Sequence, residues 1–360
     1  MEHLLYRPWV DWSARQIQDP IWRLRYLRAL TPEPVVRKRF NPLKIIGLAV
    51  ICSILPGSAP WSHRVAAAPA PKPAPIVYRV AATAPDAPPP VWLVEKSNEF
   101  EAYSNGLRIE NRYETENRRR SFLAFPLDDR PGEPRTEPAG IVFHTTESLQ
   151  APFEPSKNTV LKRVGESLLE YVARRRAYHF LIDRFGRVWR IVRESDAANH
   201  AGHSVWADGS WIYVNLNDSF LGISFEAQTA AAVTAVEINP AQIRAAAMLT
   251  EMLRSRYRIA AADCVTHAQV SVNPTNFQIG YHTDWASSFP FERLGLPDNY
   301  ARTLPSIALF GFEYDSAFVD RAGPRLADAA GRSLTADGRS LRARYRRLAA
   351  AMKTANTEVE

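Results

Sequence analysis

The hydrophobic positions of this chain fall into runs of different period. Ile45 to Leu55 is an unbroken apolar stretch, bounded by Lys44 before it and Pro56-Gly57 after it. It is short for a membrane-spanning helix, which needs about 20 residues, and has the length of a signal-peptide core. Residues 65–91 are rich in alanine and proline and read as an extended spacer with no core of its own. From Val91 to Phe125, segments such as WLVEK and LRIENRYE carry the alternation of strands, with Ser104-Asn105-Gly106 as a turn. Then strand and helix patterns alternate. Gly140-Ile141-Val142-Phe143 reads as a buried strand and Leu161 to Arg176 as an amphipathic helix. Tyr178–Ile182 and Val188–Val192 read as a hairpin around Asp183-Arg184-Phe185-Gly186, and Leu221–Phe225 as a further strand. Asn239-Pro240 has the cap-then-proline form of a helix start, and that helix runs to about Tyr257. The pattern predicts an α/β domain with a central mixed β-sheet flanked by helices.

The organisation expected is a basic N-terminal tail over 1–44, a signal anchor or signal peptide over 45–61, a linker over 62–91, a strand-rich extension over 92–135, a catalytic domain over 136–300 and a basic helical tail over 305–360. Composition refines this. The 360 residues carry a net charge of +7, and 1–44 hold nine Lys/Arg against four Asp/Glu, an excess of +5. Beside an apolar run, that excess speaks for membrane topology rather than for nucleic-acid binding. An uncleaved anchor, with the domain on the periplasmic side of a bacterial inner membrane, is preferred over a cleaved signal and secretion, because Pro60 follows the candidate cleavage residue Ala59. From Arg321 to Lys353, nine Lys/Arg face two aspartates, with Leu334, Leu341, Tyr345 and Leu348 at helical spacing. Helices packed on the domain are the plain reading; contact with anionic wall polymer or lipid is the sharper one. Two cysteines, one of them in the apolar run, exclude a disulfide framework.

The chemistry lies in the histidines. His144 ends a buried strand and precedes Thr145-Thr146-Glu147; His267 follows another apolar stretch; Asp284 sits in Gly280-Tyr281-His282-Thr283-Asp284-Trp285. Two imidazoles and one carboxylate make a three-ligand zinc site with a fourth position open. Spacing alone does not establish it, since an isolated histidine is more often structural.

The segments IVFHTTES, AYHFLIDRFGRVWRIV, AANHAGHS, FLGISFEAQ, CVTHAQ and GYHTDW occur in this order. Together, over about residues 139–295, they resemble the type-2 N-acetylmuramoyl-L-alanine amidases. The resemblance implies one Zn2+ per chain held by His144, His267 and Asp284, and cleavage of the amide between the lactyl group of N-acetylmuramic acid and L-alanine in peptidoglycan or muropeptides. A non-catalytic peptidoglycan-binding module is the alternative. His200, His203 and Trp206 are the expected substrate contacts, and His179 a supporting residue. Two departures stand out. His282 occupies the place of a lysine that steadies the oxyanion. Ser224 occupies the place of a glutamate base, which leaves Tyr178 as the leading residue to position water and Glu226, two residues on along the strand, as the second.

Overall fold

Two runs that are apolar on both faces form the centre of the molecule, as parallel strands covered by helices require. The computed structural model describes residues 87–148, 150–229, 238–314, 316–335 and 338–357. In chain order the elements are β1 (Leu93–Lys96), β2 (Phe100–Tyr103), β3 (Arg108–Glu110), β4 (Phe122–Pro126), β5 (Glu133–Arg135), β6 (Gly140–Thr145), α1 (Asn158–Arg175), β7 (Phe180–Ile182), β8 (Val188–Arg190), β9 (Val205–Ala207), β10 (Trp211–Val214), α2 (Leu216–Ser219) and β11 (Phe220–Phe225). There follow α3 (Pro240–Tyr257), β12 (Cys264–Thr266), α4 (His267–Val270), β13 (Val272–Asn273), β14 (Gln278–Ile279), α5 (Pro305–Ala308), α6 (Ser316–Arg321), α7 (Pro324–Ser333) and α8 (Gly338–Thr357).

The main sheet has eight strands in the order β1-β2-β3-β8-β7-β11-β6-β12. β11 pairs in parallel with both β6 and β7, and β12 pairs in parallel with β6. β7 and β8 are antiparallel, so the sheet is mixed. A four-stranded sheet, β5-β4-β10-β9, and the short β13–β14 ribbon complete the set. Side chains alternate across the main sheet. Phe180 and Ile182 join one core, with Ile243, Ala246, Leu249 and Leu253 of α3. Leu181 joins the other, with Leu169 and Val172 of α1. Leu161, Gly165, Leu169 and Val172 are the buried stripe of α1 at i, i+4, i+8 and i+11. That helix stops at Arg175 because Arg176 turns left-handed as its cap. α3 begins where the sequence places it: the Asn239 side chain accepts from the Ala241 and Gln242 amides, and Gln242 returns the bond to Asn239.

Within the expected strand-rich segment, 92–135, the strands differ in detail from the sequence pattern. LRIENRYE contributes only the three residues of β3; the chain leaves the sheet at Asn111. β1–β3 extend the main sheet itself, while β4 and β5 belong to the second one. The C-terminal helices are packed on the core through Phe318, Leu326, Tyr345 and Met352. The anchor and most of the proline-rich linker lie outside the described residues. Among those described, no helix is long and apolar enough to cross a membrane.

The strand-rich extension is fastened to the main sheet by a guanidinium. Arg120 is 2 % exposed and donates to the carbonyls of Glu194, Asp218, Phe220 and Asp196. Burial lowers its pKa to about 10, so it remains charged at neutral pH. Replacing it by leucine removes the side-chain donor from the Glu194 and Asp218 carbonyls and one of the donors from those of Phe220 and Asp196. We expect Arg120→Leu to cost about 3 kcal/mol or more in a urea unfolding curve at pH 7; a change below about 1 kcal/mol would mean that water replaces the guanidinium at no cost.

Candidate active site

Open sheets with parallel strands place their chemistry at the carboxyl ends of the strands. β6 carries His144 near its carboxyl end, and β12 ends at Thr266, so that His267 is the first residue of α4. Asp284 comes from the loop after β14. That loop is tied down at several points. Ala268 donates its amide to the Asp284 carbonyl at 3.3 Å, Trp285 donates its indole N–H to the His144 carbonyl at 3.1 Å, and the Tyr300 hydroxyl donates to the Trp285 carbonyl at 2.7 Å.

The result is a convergence of three ligand types. His144 Nδ1 lies 3.3 Å from one oxygen of Asp284, and His267 Nδ1 lies 2.9 Å from the other. One donor atom from each of the three residues falls within 4.8 Å of the others, and all three residues are buried. Burial alone would raise the Asp284 pKa, but the facing imidazoles of His267 and His144 hold it well below the usual carboxylate range. Burial first, and His267 second, lower the His144 pKa to about 4. A carboxylate is therefore ionised and the His144 ring neutral at pH 7, the protonation states that metal binding requires.

The second nitrogen of His144 selects its tautomer. His144 Nε2 is 3.1 Å from His200 Nδ1, and His200 Nε2 is 3.2 Å from the Phe220 carbonyl. A carbonyl only accepts, so His200 carries its proton on Nε2 and accepts at Nδ1. His144 then carries its proton on Nε2 and presents the lone pair of Nδ1 toward Asp284. The His200 ring reaches this place by lying on β11 at Gly222: a Cβ on that glycine would come within 2.6 Å of His200 Cγ and 2.9 Å of its Cβ. His267 Nε2 is buried with no hydrogen-bond partner. The donor set of two imidazoles and one carboxylate fits zinc.

Other predicted residues take varied places. Ser224 pairs directly with His144 across the parallel strands, and its hydroxyl is buried without a hydrogen-bond partner. Tyr178, in the left-handed region at φ 64°, sets its ring 5.2 Å from that of His144. Burial first, then the charge of Asp284, push its phenol pKa up, so it stays protonated. His282 stacks on His267 with ring centroids 4.6 Å apart, beside the three-residue cluster and not part of it. His203 is exposed and lines a cavity of about 520 Å³ with Asn217 and, from α8, Arg346 and Lys353.

Two expectations are corrected. Trp206 is fully buried and donates its indole N–H to Asp263 at 2.9 Å, which removes it from any substrate surface. Glu226 lies one two-residue step beyond Ser224, about 7 Å along the strand. Its carboxyl accepts the Arg184 amide at 3.1 Å and faces Gly165 of α1. His200, expected to contact substrate, is half-buried and meets His144 Nε2 and the Phe220 carbonyl. His179 is wholly structural: its Nδ1 accepts the Gly222 amide and its Nε2 meets the Asp196 carbonyl. Sequence reasoning missed Glu147. Its carboxylate accepts from Thr145 Oγ1 and the Thr229 amide, and Thr229 Oγ1 accepts from the Trp285 amide, so Glu147 fastens the end of β6 to the Asp284 loop. The Thr-Thr-Glu run after His144 was its signal.

Comparison with known proteins bears on this segment. Residues 134–284 match the family model described as N-acetylmuramoyl-L-alanine amidase. A curated relative, N-acetylmuramoyl-L-alanine amidase AmiD of Escherichia coli (strain K12), is 27% identical over 150 residues, which are 38% of this chain and 53% of the relative. The chain thus spans about half the length of that relative. Among solved structures, the complex of AmiD from E. coli with anhydro-N-acetylmuramic acid-L-Ala-D-γ-Glu-L-Lys is 26% identical, with coverage of 47% of this chain and 61% of that one and a TM-score of 0.34. AmpDh3 from Pseudomonas aeruginosa with anhydromuramic pentapeptide is 21% identical, with coverage of 55% and 80% and a TM-score of 0.35. Residues 134–284, which contain His144, His267 and Asp284, are thus the part of the chain that is similar to the N-acetylmuramoyl-L-alanine amidases.

Proposed function

We propose that this chain is a zinc-dependent amidase that hydrolyses the bond between the lactyl group of N-acetylmuramic acid and L-alanine in peptidoglycan or in muropeptides. The observation that carries the reading is the convergence of His144 Nδ1, His267 Nδ1 and the Asp284 carboxylate at one buried point inside the segment matched by the amidase family. A muramoyl peptide such as the one named in the AmiD complex is the substrate class. A pure binding module has no need of the three converging groups. The basic residues 1–44 and the apolar run after them support a catalytic domain held on the outer side of a cytoplasmic membrane.

Zinc held by His144, His267 and Asp284 would polarise the scissile carbonyl and make water nucleophilic near neutral pH. The protein groups divide the remaining work. His200 keeps the proton of His144 on Nε2. Tyr178, protonated because it is buried beside an anion, donates a hydrogen bond to oxygen at the reacting centre and does not remove a proton. Asp284 is held between two imidazoles before a cation arrives, which limits the reorganisation that its binding requires.

Three measurements test this reading. Purified protein is expected to contain about one zinc per chain and to release stem peptides from muropeptides, and His144→Ala to lose both; a folded wild-type protein without zinc affinity would refute the mechanism. His200→Ala is expected to weaken zinc binding about 10- to 100-fold in a chelator competition, while unfolding of the metal-free protein changes little. An unchanged zinc affinity would assign His200 no role through His144.

Glu226 supplies a pH test. Burial, the largest cause, raises its carboxyl pKa from 4.5 to about 7. The folded protein then holds a proton that the unfolded chain releases, so this group makes stability fall as pH rises from about 4.5 through about 7. Glu226→Gln is expected to be more stable than wild type by about 1–3 kcal/mol at pH 8, with little difference at pH 4, and to keep its amidase turnover. A loss of turnover of about 100-fold or more would restore Glu226 to the catalytic machinery.

A further inference from the structure

The family match ends at Asp284, but the chain turns back over the candidate site after that point. α6 is docked on the loop that carries His282 and Asp284. Phe318, 2 % exposed, packs against Gly280 so closely that a Cβ there would lie 2.5 Å from the ring. Gly280 also has φ +78°, so two constraints keep this position a glycine. Two residues past the helix, the Gly323 amide donates to the Ala286 carbonyl at 2.9 Å. Between these two fixings Arg321 is set above Thr283, its Nη1 3.5 Å from Thr283 Oγ1.

This guanidinium opens into a cavity of about 200 Å³ whose other polar walls include Asn273, Asn276, Gln278 and Tyr281. The wall groups are side-chain amides and hydroxyls, and among the described residues no carboxylate lines the space. Among the described residues Arg321 makes no ion pair, whereas Arg325 of α7 is paired with Asp298 at 2.5 Å. Thr283 in the cavity wall directly precedes Asp284, so the cavity lies on the same loop as this ligand, one residue from it along the chain.

We propose that this cavity is a carboxylate subsite for the stem peptide, with Arg321 as its charge partner. The inference rests on the amidase reading and adds to it a direction. Of the two halves of a muramoyl peptide, the glycan half has no free carboxylate, because its lactyl carboxyl is consumed in the scissile amide. The peptide half has at least two: the α-carboxylate left free by the γ-linkage of D-glutamate, and the C-terminus. A guanidinium recognises a carboxylate through two parallel hydrogen bonds, and amide walls accommodate peptide groups. The leaving peptide therefore extends toward α6, and the glycan toward the opposite side of the cluster. A segment beyond residues 134–284, the part that matches the family model, thereby supplies substrate contact.

The test uses the full chain loaded with zinc and compares Arg321→Gln with wild type and with Arg325→Gln, which removes the same charge outside the cavity. The substrate is a muramoyl tripeptide in three forms: unmodified, amidated at the D-glutamate α-carboxylate, and amidated at the C-terminus. Arg321→Gln is expected to raise KM about tenfold or more on the unmodified substrate, with the loss in KM and not in kcat and with zinc content unchanged. On the form that lacks the recognised carboxylate, wild type and variant should perform alike, which also tells which carboxylate is read. An equal loss on all three forms, or no loss on any, overturns the subsite. Should wild type cleave none of them, the amidase reading fails by itself. The subsite is then judged by calorimetry with the free tripeptide L-Ala-D-γ-Glu-L-Lys: binding that weakens in Arg321→Gln keeps it, and binding that is absent or indifferent to the substitution overturns it.

Discussion

An ionised carboxylate buried between two imidazoles is the constraint on which the rest of this structure depends. Such a group is costly to hold in a protein interior unless charge and hydrogen bonds compensate it. Here Asp284 has an imidazole nitrogen at each oxygen, each from a different strand end; because His144 offers a lone pair there, a cation between the three groups completes the compensation. The compensation works only if β6 and β12 end at the same level and if the β14 loop is rigid. Parallel pairing of β6 with β11 and β12 provides the first. The bonds from Trp285, Ala268 and Tyr300, with the Glu147–Thr229 fastening, provide the second. Architecture and protonation state are thus one problem with one solution.

Gly222 shows how narrow that solution is. It stands in β11 two residues before Ser224, on the same face. Its backbone binds His179 through both its amide and its carbonyl, while its missing side chain leaves room for the ring of His200. One residue therefore anchors a structural histidine and admits a supporting one. The chain of Phe220 carbonyl, His200 and His144 then sets which nitrogen faces Asp284. Orientation of a ligand by its outer partner is the usual way such sites gain affinity and precision.

Much of this was legible in the sequence because the signals were local. GIVFHT and FLGISF are buried on both faces and declare parallel strands; the Asn239-Pro240 cap is written in adjacent residues. The ligands emerged from motif order, with His144 and His267 at the ends of apolar runs. What escaped depended on register between distant segments. Trp206 looked like a groove residue because it follows His200 and His203, but β9 alternates it inward to Asp263. Glu226 looked capable of replacing an absent glutamate because it shares a face with Ser224, yet one strand step carries it into the β7–β8 turn. Arg321 could not be connected to the Asp284 loop by any local pattern, since the contact is made by Phe318 on Gly280.

Ser224 has a further consequence for the charge of the site. It is level with His144, so a glutamate in its place would bring a second carboxylate to the cluster. With serine there and Glu226 turned away, Asp284 is the anion of the cluster among the described residues. A divalent cation held by neutral imidazoles and one carboxylate keeps a net charge of about +1, where a second carboxylate would cancel it. A cationic site attracts the oxyanion of a tetrahedral amide intermediate more strongly, and less depends on a lysine at position 282. In the proposed zinc amidase, histidine at 282 and serine at 224 would compensate each other: the first leaves out the positive charge of a lysine, and the second leaves out a negative charge that would oppose the metal. Tyr178 fits the same balance, because a phenol kept protonated by burial beside Asp284 donates a hydrogen bond without adding charge.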